Sequence, residues 1–170
     1  MKNNKTLMAL VFLSSSVILN AQSNSDHTLF FQRQSEARFS PGTSTIQQIG
    51  AMNEAYIQQI NSSNSFLSVQ MGEANFLKAE QAGFNNFLGL YQLGSGNQYT
   101  GNVDGENSLI NVFQVGNHNM VNQSIFTTNS DVFILQEGSR NEILQSGDFL
   151  STGIKIHQLG QGLRLTVKTN

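Results

Sequence analysis

The sequence contains no cysteine and no tryptophan, and it has one proline among 170 residues. The absence of cysteine excludes disulfide bonds, a cysteine-based zinc site and a catalytic thiol. Charged residues make up 12% of the chain, about half the usual share of a globular domain. The formal net charge is −2, and no Lys/Arg cluster is present that could neutralise nucleic-acid phosphates. A basic nucleic-acid-binding protein is therefore not expected.

Amide side chains are abundant where charge is scarce. Asn occurs 20 times and Gln 17 times, which together account for 37 of the 170 residues. A polar, weakly charged composition with almost no proline is typical either of a disordered chain or of a β-aggregating one. The arrangement of the amides along the chain decides between these two.

The N-terminal residues 1–21 predict a secretory signal peptide. Lys2 and Lys5 provide its positive start, residues 7–19 are mostly apolar, and the segment ends at the small residue Ala21. A transmembrane anchor is the alternative, but a helix needs about 20 apolar residues to cross a bilayer. We therefore expect the mature protein to be secreted.

A Gln-x-Gly motif recurs six times, and each copy begins 22 residues after the previous one. The glutamines are Gln48, Gln70, Gln92, Gln114, Gln136 and Gln158. The glycines, interpreted as turn residues, are Gly50, Gly72, Gly94, Gly116, Gly138 and Gly160. A repeat of this length indicates stacked units, since one unit alone cannot bury its apolar face.

Other amides keep the same phase. An asparagine follows the motif's glutamine in five repeats, at Asn53, Asn75, Asn97, Asn119 and Asn141. A second glutamine closes the first two repeats, at Gln59 and Gln81. Small polar residues precede the motif, at Asn64, Asn86, Ser108, Ser130 and Thr152.

Apolar and polar residues alternate between these markers, as at Ile110 and Val112 or at Val132 and Ile134. Such alternation predicts half-buried strands, so each repeat is interpreted as strand–turn–strand–turn. Stacked about 4.8 Å apart, the repeats predict an all-β solenoid over residues 42–170, with six coils and two parallel sheets. Equivalent amides would then form buried ladders, and both ends would expose unpaired strand edges.

The repeat motif resembles that of the curlin family. The first repeat carries the full pattern, with Gln48, Gly50, Asn53, Ala55 and Gln59 at the curlin positions. Curlins are secreted bacterial proteins that polymerise into curli, the functional amyloid fibres of the biofilm matrix, which also serve cell adhesion. The resemblance implies a structural subunit of such fibres, which nucleates or extends polymerisation through open solenoid ends.

The same resemblance, which covers residues 42–170, implies the surroundings of the protein. It implies an extracellular fibre at the bacterial outer surface, no enzymatic activity and no cofactor. Its partners would be curlin subunits and the outer-membrane export and tethering components. Residues 22–41 would be a poorly ordered export or targeting segment.

The last repeat is atypical. It has Leu163 in place of the asparagine, and it contains Lys155, Arg164 and Lys168 but no acidic residue. This resembles the closing repeat of the minor, surface-tethered curlin that nucleates fibres, so a nucleator is favoured over a major subunit. The terminal repeats of any solenoid diverge because they cap it, so the major subunit remains the other interpretation.

Three aromatic residues, Tyr91, Phe113 and Phe133, fall at outward positions. They are interpreted either as lateral contacts between fibres or as ordinary half-exposed sheet residues.

The alternative function is that of an adhesin, a secreted solenoid that does not polymerise. No nucleophile elbow, phosphate loop or histidine spacing for a metal supports an enzyme.

Overall fold

The computed structural model describes residues 8–12, 17–21, 42–61 and 63–169, and these residues form fourteen strands. The strands are β1 (Met8–Phe12), β2 (Val17–Ala21), β3 (Ser44–Ala51), β4 (Glu54–Gln59), β5 (Ser65–Glu73), β6 (Phe76–Gln81), β7 (Phe87–Ser95), β8 (Gln98–Glu106), β9 (Leu109–Asn117), β10 (Met120–Thr128), β11 (Asp131–Ser139), β12 (Glu142–Leu150), β13 (Gly153–Gln161) and β14 (Arg164–Lys168). In these ranges no helix is long and apolar enough to cross a membrane.

The strands belong to two seven-stranded sheets. The front sheet has the order β2-β3-β5-β7-β9-β11-β13, and the back sheet has the order β1-β4-β6-β8-β10-β12-β14. From β3 onward the chain alternates between the sheets, so that six coils of two strands each are stacked along one axis. Neighbouring strands are parallel throughout the described residues. The predicted all-β solenoid with two parallel sheets is confirmed.

The register between coils is fixed at one repeat. Gln92 lies beside Gln70 on one side and beside Gln114 on the other, and every other position of β7 is offset in the same way. A slip of one residue would turn every inward side chain outward, because side chains alternate along a strand. The constant period of the sequence therefore specifies the pairing.

The core lies between the two sheets and consists of stacked apolar columns. Leu88, Ile110 and Val132 form one such column of the front sheet, and each is at most 1% exposed. Leu77 and Ile143 face them from the back sheet and are fully buried. Since burial of one aliphatic side chain stabilises a fold by about 1.5–3 kcal/mol, these columns hold the sheets together.

The first corner of each coil is not formed by the glycines interpreted as turn residues. Those glycines lie in the ends of the front strands, and the corner follows at residues such as Ala74 and Arg140, with φ of 53° and 55°. Gly94 has a φ of +113°, and a Cβ at this position would collide with the carbonyl oxygen of Gly116 in the next coil. Glycine is thus required here by the approach of two backbones.

Strands β1 and β2 lie within the predicted signal peptide. Met8 of β1 pairs with Glu54 of β4, and Val17 of β2 pairs with Ser44 of β3. They therefore occupy the first edge of each sheet when the full chain is present. Removal of residues 1–21 stays a prediction, and the expected export segment 22–41 lies outside the described residues.

The glycine column yields the first prediction. Gly94→Ala is expected to lower the free energy of unfolding by more than about 2 kcal/mol, because alanine is strained at this φ and its methyl group meets backbone. Gly153→Ala is the matched control, since that glycine has open space around it, and its effect should stay within about 0.5 kcal/mol. Denaturant unfolding followed by circular dichroism measures both, and equal effects would contradict the close-approach explanation.

Candidate functional site

The six motif glutamines form one continuous buried ladder inside the front sheet. Each is at most 6% exposed. The Nε2 of each glutamine donates to the Oε1 of the next, with five bonds of 2.6 to 3.1 Å between Gln48 and Gln158. The ladder therefore has a direction, with donors pointing toward the C-terminal coil.

The second amide proton of these glutamines crosses to the back sheet. Gln92 Nε2 donates to the carbonyl oxygen of Phe76 at 3.0 Å, and Gln114 Nε2 donates to that of Gln98 at 2.9 Å. Gln70, Gln136 and Gln158 make the same contact at 3.0 to 3.2 Å. Each of these amides thus joins two coils and two sheets, which offsets the cost of burying it.

The motif asparagines bind the backbone of the first corner. Asn97 Nδ2 donates to the carbonyl oxygens of Leu93 at 3.2 Å and Gly116 at 2.8 Å. Its Oδ1 accepts the backbone N–H of Asn119 at 3.1 Å. Asn53, Asn75, Asn119 and Asn141 repeat this arrangement.

This arrangement refines the expected amide ladder. Direct bonds between asparagine amides join Asn75 to Asn53 and Asn97 to Asn75, both at 3.1 Å. The main partners of the asparagines are backbone groups, because their side chain is one methylene shorter than that of glutamine and reaches its own corner. The asparagines therefore hold each corner in place and tie it to the next coil.

Two sets of polar residues were not included among the expected site residues. Asn64 and Asn86 hold the second corner as the motif asparagines hold the first, and Asn86 Nδ2 donates to the carbonyl oxygens of Ala82 and Gly105. The sequence signal was present in the small polar residues before each motif. In later coils Ser108 and Ser130 take these positions.

The second glutamine ladder changes column along the stack. Gln59 Nε2 donates to Gln81 Oε1 at 2.8 Å, after which Val103 makes this column apolar. A new pair appears in the neighbouring inward column, where Gln123 Nε2 donates to Gln145 Oε1 at 2.7 Å. Sequence reasoning missed this pair because it occupies a different phase of only two repeats.

Tyr99 connects the new pair to the rest of the core. It is fully buried, its ring fills the space above Gly101, and its hydroxyl donates to Gln123 Oε1 at 2.8 Å. Burial raises the pKa of Tyr99 well above its usual value of 10.0. The phenol therefore stays protonated and keeps its hydrogen bond at neutral pH.

The basic residues of the last repeat are placed on different faces. Lys155 is exposed on the front sheet, whereas Arg164 and Lys168 are exposed on the back sheet. Arg164 makes a 2.6 Å ion pair with Glu142 of the preceding coil. Such exposed pairs contribute little to stability. In the part of the chain that the structure describes, no group of His, Asp or Glu is arranged to hold a metal ion.

No protein-family model matches this chain, no curated protein matches it in sequence, and no solved structure matches it in fold.

The ladder yields a second prediction. Gln92→Ala removes the acceptor of one Nε2 proton of Gln70, the donor to Gln114 Oε1 and the donor to the carbonyl oxygen of Phe76, and each lost bond costs about 1–3 kcal/mol. We expect a loss of at least about 3 kcal/mol in the free energy of unfolding. Gln58→Ala, which truncates an exposed glutamine, should change it by less than about 0.5 kcal/mol. A comparable loss in both variants, measured by denaturant unfolding, would contradict the importance of the buried ladder.

A third prediction concerns alkaline pH. Tyr99 ionises near pH 10 in the unfolded chain but only at higher pH in the folded chain. Its contribution to the free energy of unfolding is therefore fully present below about pH 10 and falls as the pH rises further. Tyr99→Phe should lower stability at neutral pH by about 1–3 kcal/mol, because Gln123 Oε1 loses its donor. The same variant should lose less stability between about pH 9 and about pH 11 than the unaltered chain. Parallel pH profiles of unfolding would show that the buried phenol is not responsible.

Proposed function

We propose that this chain is a structural subunit of extracellular curli-type amyloid fibres, in which coils of successive chains continue one stack. The observation that carries the proposal is the unpaired last edge of each described sheet. Among the described strands, β13 pairs only with β11 and β14 pairs only with β12. An unpaired parallel edge of this kind is a template for further strands.

The apolar columns are also open at that end. Leu165 continues the column of Ile143, yet it is 36% exposed whereas Ile143 is fully buried. Leu163, at the last corner, is 43% exposed. Burying these side chains beneath another coil would recover about 25 cal/mol for each Å² of apolar surface removed from water.

The N-terminal end carries a complementary group. Gln48 Oε1 is buried and has no hydrogen-bond partner among the described residues, and an unsatisfied buried acceptor costs about 1–3 kcal/mol. A glutamine Nε2 from another coil would satisfy it, as every later Oε1 of the ladder is satisfied. In the full chain β1 and β2 occupy this edge, so removal of the predicted signal peptide would expose it.

The resemblance to curlins implies that such a fibre lies at the bacterial outer surface, with export and tethering components as partners. The divergent, basic last repeat resembles that of the nucleating subunit, so this subunit is favoured over the major one. In this function the amide ladders fix the register of each coil on the previous one, and no residue is catalytic.

The fourth prediction tests this function on residues 22–170, diluted from denaturant to micromolar concentration. We expect a rise in thioflavin T fluorescence and fibre diffraction at about 4.7 and 10 Å. For a nucleator, substoichiometric amounts should also remove the lag of a curlin partner. A soluble, dye-negative, β-rich monomer would overturn the fibre proposal and leave the adhesin.

A paired substitution at the N-terminal coil adds a control to that experiment. Gln48→Ala with Asn53→Ala should slow fibre growth several-fold, because the first coil then lacks the amides that receive the next chain. Gln58→Ala, on the exposed side of the same coil, should leave the growth rate unchanged. Equal rates for all three chains would show that the first coil is not a growing end.

A further inference from the structure

The second corner of the coils contains a groove with a volume of about 220 Å³. It runs along the stack where four front strands begin, and it is lined by the first residue of each, namely Ser65, Phe87, Leu109 and Asp131. Three steps of about 4.8 Å between these four coils give it a length of about 14 Å. We call this space the corner groove.

The floor of the corner groove is buried, and its polar groups are bonded within the stack. Phe87 is 6% exposed and, with the half-buried Leu109, gives the floor an apolar surface. Asn86 Nδ2 donates to two backbone carbonyl oxygens, and Ser108 Oγ donates to one. The polar groups of the floor therefore serve the fold, and a ligand would have to bind to the rim.

The rim consists of the exposed residues Asn85, Asn107 and Asp131. Asn85 Nδ2 donates to Asn107 Oδ1 at 2.9 Å. Among the described residues, the Oδ1 of Asn85 and the Nδ2 of Asn107 have no further partner. Together with the carboxylate of Asp131, the rim thus offers both acceptors and donors to a ligand that lies along the stack.

The backbone conformation alone does not require this polar rim. Both corners hold residues of positive φ, and at the first corner these have unrelated side chains at φ of 53° to 56°, in Met52, Ala74, His118 and Arg140. At the second corner the equivalent residues have φ of 50° to 65° and are all serine or asparagine, at Ser63, Asn85, Asn107, Asn129 and Ser151. One class of side chain, at a conformation that others also adopt, indicates a role for the hydroxyl and amide groups themselves.

The charge of the second corner limits the kind of ligand. Four acidic residues lie at this corner in the later coils, at Asp104, Glu106, Asp131 and Asp148. The corner segments 82–87, 104–109, 126–131 and 148–153 contain no Lys or Arg. Anionic ligands would therefore be repelled, since like charges brought together are unfavourable.

We propose that the corner groove binds a neutral, extended glycan chain. Sugar hydroxyl groups both donate and accept hydrogen bonds, as the rim amides do, and they can donate to the carboxylate of Asp131. The C–H groups of a pyranose ring can pack on the apolar floor of Phe87 and Leu109. Each sugar advances a β-linked chain by about one strand spacing, so the groove has room for about three sugars. All of these residues belong to one chain, so the site does not depend on fibre formation.

Saturation-transfer NMR on the full chain tests the proposal, with cellohexaose and chitohexaose as neutral probes and hexagalacturonate as the anionic probe. We expect transfer to at least one neutral probe, and binding of hexagalacturonate that is at least about ten times weaker. The two neutral probes differ in their acetamido groups, so the ratio of their affinities separates hydroxyl from amide recognition. Absence of transfer to both neutral probes, or equally tight binding of hexagalacturonate, would overturn the proposal.

A matched pair of variants locates the binding. Asn107→Ala should weaken the neutral probe at least about five-fold, which corresponds to the loss of one hydrogen bond. Alanine is compatible with this conformation, because Ala74 adopts it at the first corner. Asn129→Ala changes the same corner position one coil further, outside the groove, and should weaken binding by less than about two-fold. Equal losses in the two variants would contradict a site in the corner groove.

Thiol protection gives a second readout, since the chain has no cysteine of its own. Ser63 lines the groove, whereas Ser151 holds the equivalent corner position outside it. A saturating neutral probe should slow alkylation of the thiol introduced by Ser63→Cys several-fold and leave that of Ser151→Cys unchanged. Equal rates for the Ser63→Cys thiol with and without the probe would refute the proposal, whether or not the chain forms fibres.

Discussion

Because every coil advances the chain by 22 residues, each motif glutamine finds another glutamine amide within hydrogen-bonding distance in the next coil. This condition satisfies most of the buried ladder amides, since a buried amide without a partner costs more than the bond itself contributes. A single inserted residue would shift the following strand by one position and turn its polar side chains outward and its neighbours inward. Constant repeat length is therefore the constraint on which register, core and ladders all depend.

The two kinds of amide perform different tasks that follow from their length. Glutamine reaches both the next coil and the opposite sheet, as Gln92 does, whereas asparagine binds the carbonyl groups of its own corner, as Asn97 does. Where a polar column ends, another group completes the packing. Val103 makes the column of Gln81 apolar, and Tyr99 fills the space above Gly101 while donating to Gln123.

Sequence periodicity was sufficient to predict the solenoid, its two parallel sheets and their inward apolar columns, because each depends on a feature shared by all repeats. Features confined to a few repeats were missed, as with the Gln123–Gln145 pair. The positions of the corners were predicted incorrectly. Residues as different as Ala74 and Arg140 adopt a positive φ there, and the amino-acid composition does not reveal this. The burial of Leu67, Val69 and Met71 on the outward face of the front sheet was also missed, because alternation separates the two faces of a strand but does not show how deeply each is buried.

The hydrogen bonds of the corner asparagines bear on how readily these residues deamidate. Asn97 directs its amide protons at the carbonyl oxygens of Leu93 and Gly116. Deamidation would place a carboxylate there, with oxygen facing oxygen and a charge buried between the equivalent asparagines Asn75 and Asn119 of the neighbouring coils. Asparagine is among the thermolabile residues, but a side chain held by bonds on both sides has little freedom to reach the geometry that the reaction needs. The hydrogen bonds that fix the corners therefore also protect the asparagine amides from deamidation, and these amides are what holds the corners.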